Sequence, residues 1–491
     1  MSKPLTKILF NDDAGYPVGA QLHKDGPDAF LASRFGLCAG TQVDSYLWCV
    51  PGTGDARAER NFSDPGADPG TVIVDACRKE GMEVFGSLRM NDTHDSGMLM
   101  DDPLKLAHPE YLIGEREGLT FGSIMRGMWS GFNYALPEVQ EFVFNLIRDE
   151  CERYNFDGFE LDFSRHSLFF KLGEEAENLD SMTGFISRIR EMLDDIGQRR
   201  GQPYRLSAHL PETPVLARRI GLDMAAWVEK GLLDFVVAGW GYNPYTAAIE
   251  DAVELCHGHD VPVYACINCS TVADISGSYA ERLRGMATNM LKKGADGIYL
   301  FNFFVPMDLD KAEAQDVFGT LDELGSPETL RGKDKIFMYG PLVTWPYMLY
   351  SSTVSPFFPL SLSHGGPIEL FVGDELEAEA RQGAIKEIRL TARVSDIGKD
   401  EGVRLIVNGT LVEESGRSML NEPFLVPPSL HPAMTKPPGY DEYTPAYAIE
   451  FLIDAPPITA GTNSVEFLPG RDCHGWWKTR VQEIRLEVNY H

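Results

Sequence analysis

Acidic and basic side chains fall at chemically useful spacings around residue 160. The run Phe156-Asp-Gly-Phe-Glu-Leu-Asp-Phe-Ser-Arg-His166 carries Glu160 and Asp162 two residues apart. Side chains alternate between the two faces of a strand, so these carboxylates share a face with Gly158, while Phe159, Leu161 and Phe163 share the other. At roughly 3.3 Å per residue the two acids stand about 6–7 Å apart. Carboxylates this close in an apolar setting repel each other and lose hydration, a cost that a merely structural strand avoids. Two carboxyl groups flanking a bond are the minimum for hydrolysing a glycosidic linkage: one donates a proton to the leaving oxygen, the other acts as nucleophile or as base for water. Asp162, nearer the strand end, is the expected catalytic carboxylate, with Glu160 tuning its pKa.

Three further stretches supply partners. Ser87-Leu-Arg-Met-Asn-Asp-Thr-His-Asp95 brings Arg89, Asn91, Asp92 and His94 together. Arg89 suits pairing with a carboxylate of the 156–166 run, and Asn91, Asp92 and His94 have the donors and acceptors to grip vicinal hydroxyls. Arg205-Leu-Ser-Ala-His-Leu-Pro-Glu212 alternates Arg205, Ser207 and His209 with aliphatic residues and puts Glu212, the expected general acid, just beyond. With Arg89 and His94, the residues Arg165, His166 and His209 are expected to hold the carboxylates and sugar hydroxyls. Trp240, Tyr242, Asn268 and Asn302 close other apolar runs and suit a sugar, aromatic faces stacking on its C–H side and amides taking its hydroxyls.

Positioning these groups together requires a particular scaffold. From residue 7 to about 325, short apolar runs alternate with amphipathic helical stretches, the pattern of a parallel sheet wrapped by helices. Strands are predicted at Ile8–Asn11, Val43–Cys49, Met82–Met90, Phe156–Phe163, Tyr204–Leu210, Asp234–Trp240, Val261–Ile267 and Gly297–Phe301. Pro137–Arg153 reads as a helix with proline in its first turn and Val139, Phe142, Leu146 and Ile147 on one face. A second helix is expected to be capped by Asp180 and to bury Phe185, Ile189, Met192, Leu193 and Ile196. Eight strands with intervening helices predict an α/β fold, a (β/α)8 TIM barrel over residues 1–325, in which reacting groups sit at the C-terminal strand ends. An open doubly wound sheet is the competitor, but no Gly-x-Gly-x-x-Gly follows the first strand.

Beyond residue 325 the pattern changes. Residues 326–362 are rich in proline and aromatics and read as a linker. Residues 363–491 alternate apolar and polar side chains at Ile385–Val394, Val403–Val407, Ala448–Ile453, Ser464–Leu468 and Val481–Val488, predicting a C-terminal β-sandwich. Asn408-Gly409 reads as a two-residue hairpin turn. Trp476-Trp477 offers either a sugar-stacking platform or an interface contact.

Charge narrows the partners. The 491 residues include 44 basic and 73 acidic side chains, a formal charge of −29. Such a surface repels phosphate backbones and anionic headgroups, so no nucleic acid and no membrane is expected as partner. The expected partner is a carbohydrate substrate, with no cofactor and no metal; oligomeric state is left open. Residues 1–9 are too interrupted for a signal sequence, and the expected location is cytoplasmic. The eight cysteines lie in apolar patterns and read as reduced core thiols, including the Cys266-x-x-Cys269 pair, which has no second pair for a metal.

The 156–166 run resembles two glycosidase patterns. The chitinase-type motif of glycoside hydrolase family 18, Asp-Gly-x-Asp-x-Asp-x-Glu, aligns with Asp157, Gly158, Glu160 and Asp162, but its final glutamate, the general acid there, is Ser164 here. The fuller resemblance is to glycoside-hydrolase-family-10-like barrel proteins, at Phe156–His166, at Asn91-Asp-Thr-His94 and at Asn133-Tyr-Ala-Leu-Pro-Glu138. It implies a barrel glycosidase over about residues 5–325. Xylanases of family 10 proper carry a glutamate on strand seven, where this chain has Asn268-Cys-Ser270. Two alternatives from other classes stand beside hydrolysis by two carboxylates. One is a metal-dependent barrel hydrolase or aldolase using His94, His166, His209 and Asp162. The other is a sugar-binding barrel without turnover, to which Ser164 points.

Overall fold

A computed structural model of the chain describes residues 7–12, 26–50, 68–97, 102–119, 123–240, 246–268, 278–301, 303, 311–340, 358–363, 365–420 and 445–491. Eight parallel strands close into a barrel: β1 (Ile8–Asp12), β2 (Val43–Cys49), β3 (Glu83–Arg89), β4 (Gly158–Asp162), β5 (Arg205–Leu210), β6 (Phe235–Ala238), β7 (Val263–Asn268) and β8 (Gly297–Phe301). Each pairs with its sequence neighbours and β8 returns to β1, so the barrel has no exposed edge. All eight strands fall where the apolar runs predict them.

The helices bury the outer face of that barrel. Helix α1 (Pro137–Arg153) starts on its proline and buries Val139 and Ile147, with Phe142 and Leu146 half-buried. Helix α2 (Leu179–Arg200) buries Phe185, Ile189, Leu193 and Ile196 and half-buries Met192. Its cap differs from expectation: a 3-10 turn, Ala176–Asn178, runs directly into it, so Asp180 lies in the first helical turn and Asn178 occupies the cap without a side-chain bond. Phe159, Leu161 and Phe163 belong to this outer core, opposite Glu160 and Asp162.

The C-terminal strands form two antiparallel sheets with their own core. One contains β9 (Lys335–Tyr339), β10 (Leu360–Ser361), β12 (Ile385–Ser395), β15 (Gly416–Met419), β16 (Ala446–Leu452) and β18 (Arg480–Tyr490). The other contains β11 (Ile368–Val372), β13 (Val403–Val407), β14 (Thr410–Val412) and β17 (Gly461–Pro469). Asn408 and Gly409 have φ of 48° and 81°, the doubly left-handed turn that joins β13 to β14. β9 and β10 both pair with β18, so the 326–362 stretch contributes two strands to this sheet rather than only connecting domains. Proline and aromatic content hid them, because β9 is five residues long and its partner lies about 150 positions later in the chain.

The sandwich is fastened to helix α3 (Tyr279–Lys292) of the barrel. Asn289 donates to the Phe371 carbonyl at 3.0 Å and accepts from the Gly373 amide at 2.7 Å. A Cβ on Gly285 would stand 2.1 Å from the Ile336 carbonyl oxygen, so only glycine lets β9 lie this close. Among the described residues no helix is long and apolar enough to cross a membrane.

Candidate active site

Strand register assembles the site. Ser87, Glu160 and Ser207 stand level on β3, β4 and β5, and Arg89, Asp162 and His209 stand level one step nearer the mouth. Below and around them the lumen is packed by Leu9, Leu47, Phe85, Phe235, Val237, Tyr264, Cys266, Tyr299 and Phe301. Gly158 makes this possible: a Cβ there would come within 2.4 Å of the Phe85 ring. The glycine that begins β4 thus clears the floor beneath the two carboxylates.

Glu160 is completely buried, and its Oε1 accepts hydrogen bonds from Ser87 Oγ at 2.7 Å and Tyr299 Oη at 2.9 Å. Burial, reinforced by the Asp162 charge, pushes its pKa up to about 7 against the opposing pull of His209 and the two hydroxyls. Asp162 is 2% exposed, and its Oδ1 accepts from the backbone amides of Ser164 at 2.9 Å and Arg165 at 3.2 Å. Burial would raise this acid too, but the His209 contact, the Arg89 charge and the Ser164 amide outweigh it and hold the carboxyl below its ordinary range. One strand therefore carries one carboxyl whose pKa is raised and one whose pKa is lowered.

His209 has no exposed surface. Its Nε2 lies 2.9 Å from the Gly239 carbonyl oxygen and its Nδ1 lies 3.2 Å from Asp162 Oδ1. Burial works against its charge, but the Cys266 sulfur and the Asp162 carboxylate facing the ring hold its pKa well above the ordinary histidine range. Gly239 has φ +118°, a conformation L side chains rarely adopt, at the point where β6 gives way to the loop.

A second polar group forms at the rim, on the loops after β3 and β4. Asp92 accepts from Arg89 Nη1 at 3.0 Å through Oδ2, and from the His94 amide at 3.0 Å through Oδ1. His94 Nδ1 is 2.5 Å from the same Oδ1, and its Nε2 receives Arg165 Nη2 at 2.8 Å. The His94 imidazole is thus protonated on Nδ1 and accepting on Nε2. His166 Nδ1 accepts the Thr93 amide at 3.3 Å, and the His94 and His166 rings meet edge-on at 4.8 Å. Burial, with the charges of Arg165 and Arg89 nearby, drives the His166 pKa well below its ordinary value despite Asp92. Asp92 itself stays ionised: against burial, His94 and Arg89 hold it far below the usual carboxylate range.

Asp92, His94 and His166 offer ligand atoms within 4.8 Å of one another, the one such grouping among the described residues. The donor set does not fit a cation. A proton already occupies the His94–Asp92 contact, and guanidinium groups donate to Asp92 Oδ2 and to His94 Nε2, where they would repel a metal. His209 and Asp162, expected to join His94 and His166 in a metal-dependent alternative, instead pair with each other inside the lumen.

Other expected residues have different employment. Asn91 is buried and donates to the Phe132 carbonyl at 3.1 Å and the Leu168 carbonyl at 2.6 Å while accepting from the Phe132 amide at 2.8 Å, so it ties loops together instead of gripping hydroxyls. Trp240 is buried with Ile113, Met128 and Leu168 and donates from its indole to Ser167 Oγ at 3.0 Å, which leaves no open face for stacking a sugar. Both corrections have one cause: the loops after β3 and β4 fold over each other, and their polar groups must bond within that fold. Arg89 donates to Asp92 and acts on Asp162 through its charge. Glu212 is fully buried just past β5, beside Thr213, whose side chain caps the helix Pro214–Arg219. Tyr242, Asn302 and the side chain of Asn268 lie outside the described residues, as does Cys269. Cys266 faces the lumen beside His209, and burial raises its pKa.

The expected set did not include Ser87, Tyr299 and Gly239. Ser87 has the parity of Arg89 on β3, and Tyr299 is the polar residue between Ile298 and Leu300 on β8, so alternation marks both as inward. Gly239 contributes through a backbone carbonyl, for which no side chain gives a signal.

Fold and site together define a closed (β/α)8 barrel with titratable groups gathered at the C-terminal strand ends, the usual position of active sites in this architecture. No protein-family model matches the chain, and no curated protein matches its sequence. Solved structures that it resembles include α-galactosidase from Thermus thermophilus, at 16% identity and a TM-score of 0.37 over 68% of this chain and 64% of that one. α-L-Fucosidase isoenzyme 2 from Paenibacillus thiaminolyticus is similar at 12% identity and a TM-score of 0.41, over 67% of this chain and 51% of that one. The glycoside hydrolase domain of PgaB (BpsB) from Bordetella bronchiseptica is similar at 13% identity and a TM-score of 0.40, over 65% of this chain and 98% of that one. The chain thus spans less than two thirds of the galactosidase and about half of the fucosidase. At these scores the likenesses carry no argument about substrate or mechanism.

Proposed function

We propose that the barrel hydrolyses a glycosidic bond in a neutral or modestly acidic oligo- or polysaccharide at its C-terminal mouth. The observation that carries this reading is the divergence of two carboxyls on β4. Two neighbouring inward carboxyls are pushed apart in pKa, Glu160 up to about 7 and Asp162 below its usual range, which keeps Asp162 ionised beside a second carboxyl. Asp162 is the ionised carboxylate that acts as nucleophile or as base for water. Glu212 is the general acid of this reading, and Glu160 sets the potential around Asp162. Arg89, His94, Arg165 and His166 line the rim through which a sugar enters.

Screening aryl glycosides and polysaccharides tests the proposal, with NMR of the first-formed anomer to read retention or inversion. Product from any glycoside, lost in Asp162→Asn with the fold intact, is the expected result. Full turnover by both Asp162→Asn and Glu212→Gln would remove the site assignment. Activity that tracks a stoichiometric bound metal would replace the reading with a metal-dependent one.

A further inference from the structure

We propose that His209 is a positioning residue: an imidazolium protonated on both nitrogens, held between the Gly239 carbonyl and Asp162, that fixes the negative charge on Asp162 while Glu160 keeps its proton. The catalytic consequence rests on the reading above; the charge state itself does not.

A hydrogen bond at one ring nitrogen and an ion-pair contact at the other carry the argument. Nε2 stands 2.9 Å from a carbonyl oxygen, which can only accept, so Nε2 bears a proton. Nδ1 stands 3.2 Å from Asp162 Oδ1. A neutral ring would leave an unprotonated nitrogen at ion-pair distance from that oxygen, tolerable only if Asp162 carried the proton. Yet Asp162 Oδ1 already accepts two backbone amides, from Ser164 and Arg165, which favour the ionised carboxylate. The proton therefore belongs on Nδ1. Among the described groups around the ring, the Arg89 charge opposes an imidazolium and is engaged by Asp92. Tyr299 and Phe301 of β8 flank it with ring centroids at 4.9 and 5.8 Å. Cys266 of β7 faces it, Glu160 lies one step below on β4, and Arg89 of β3 acts on Asp162 through its charge. Glu160 Oε1 accepts from the Ser87 and Tyr299 hydroxyls, so the proton that Glu160 retains sits on Oε2. Without a cation at His209, the groups among the described residues that favour ionising Asp162 before Glu160 are the backbone amides and the Arg89 charge.

The test uses the intact chain labelled with nitrogen-15 at its 11 histidines. The His209 signals are assigned by their loss in His209→Gln, a variant that keeps an amide donor but no charge. Both ring nitrogens protonated through pH 8 is the expected result; a ring with one proton at neutral pH overturns the proposal whatever the enzyme does. If His209→Gln does not fold, Gly239→Ala, which strains the carbonyl's position, supplies the assignment by shifting the same signals. Where a glycoside is turned over, His209→Gln is expected to move the acid limb of kcat/KM up by about one pH unit or more, since an uncompensated carboxylate titrates higher. Its kcat is expected to fall about 10²-fold with KM little changed. A lower kcat with an unmoved pH profile would mark His209 as structural only. Failure of every glycoside would end the hydrolase reading and leave the NMR result standing.

Discussion

His166 and His209 are both buried beside an aspartate, and their pKa values are pushed in opposite directions. His209 sits on a barrel strand with a carbonyl at one nitrogen and a carboxylate at the other, and is held charged. His166 sits on a loop, uses Nδ1 to accept a backbone amide, shares its aspartate with His94 and Arg89, and is held neutral. Burial pushes both rings the same way, so the difference comes from the number of acceptors and cations around each. Lumen and rim teach that an Asp–His pair in a sequence does not specify a charge state. What specifies it is whether competing cations already satisfy the aspartate.

The comparison breaks most sharply at the aspartates. Asp162→Asn is expected to lower kcat/KM by about 10³-fold or more, the scale of losing a reacting carboxylate, whereas Asp92→Asn should cost about tenfold. Steady-state assays on the same glycoside check this, and equal losses would erase the distinction between lumen and rim. Next in size is a stability effect confined to the lumen. Below its ordinary value of 4.5 Glu160 is protonated in folded and unfolded chains alike, and up to about 7 only the unfolded chain ionises, so stability falls as pH rises through that window. The loss is on the order of 3 kcal/mol by neutral pH. His209 acts in the same direction, its contribution being full below pH 6.5 and lost as pH rises through its elevated folded value. Urea unfolding at pH 5 and pH 8 should show Glu160→Gln gaining on the parent chain at the higher pH; no differential gain would place the proton elsewhere.

At the rim, Asn91→Ala strands the Phe132 amide and two carbonyls, and is expected to cost about 1–3 kcal/mol of stability with a rise in KM that follows loop order. Thermal unfolding and KM, measured together, would show it. The smallest effect is expected from His94→Ala, whose ring is about half exposed at the mouth: a few-fold rise in KM and less than about 0.5 kcal/mol of stability. A large stability loss there would mean that the rim is as tightly built as the lumen.

Much of the fold is legible because it depends on local pattern. Val43–Cys49, Gly297–Phe301, Val403–Val407 and Pro137–Arg153 begin and end where their residues predict. Strand parity alone places Glu160 and Asp162 inward. The site was less legible. Asn91 and Trp240 look like sugar-binding residues until their loops fold over one another. Asp92 looks like one more hydroxyl ligand until Arg89 and His94 close on it.

The sequence by itself determined the eight strands, the change from barrel to sandwich and the face on which each side chain stands, because alternation and helical period follow from the backbone of a few adjacent residues. Only the tertiary structure decided which carboxyl keeps its proton and which histidine is charged. Those states depend on partners brought from afar: Tyr299 bonds Glu160 across 139 residues, and Gly239 bonds His209 across 30. Electrostatic work is done over a few ångströms of space, and separation along the chain carries no record of it.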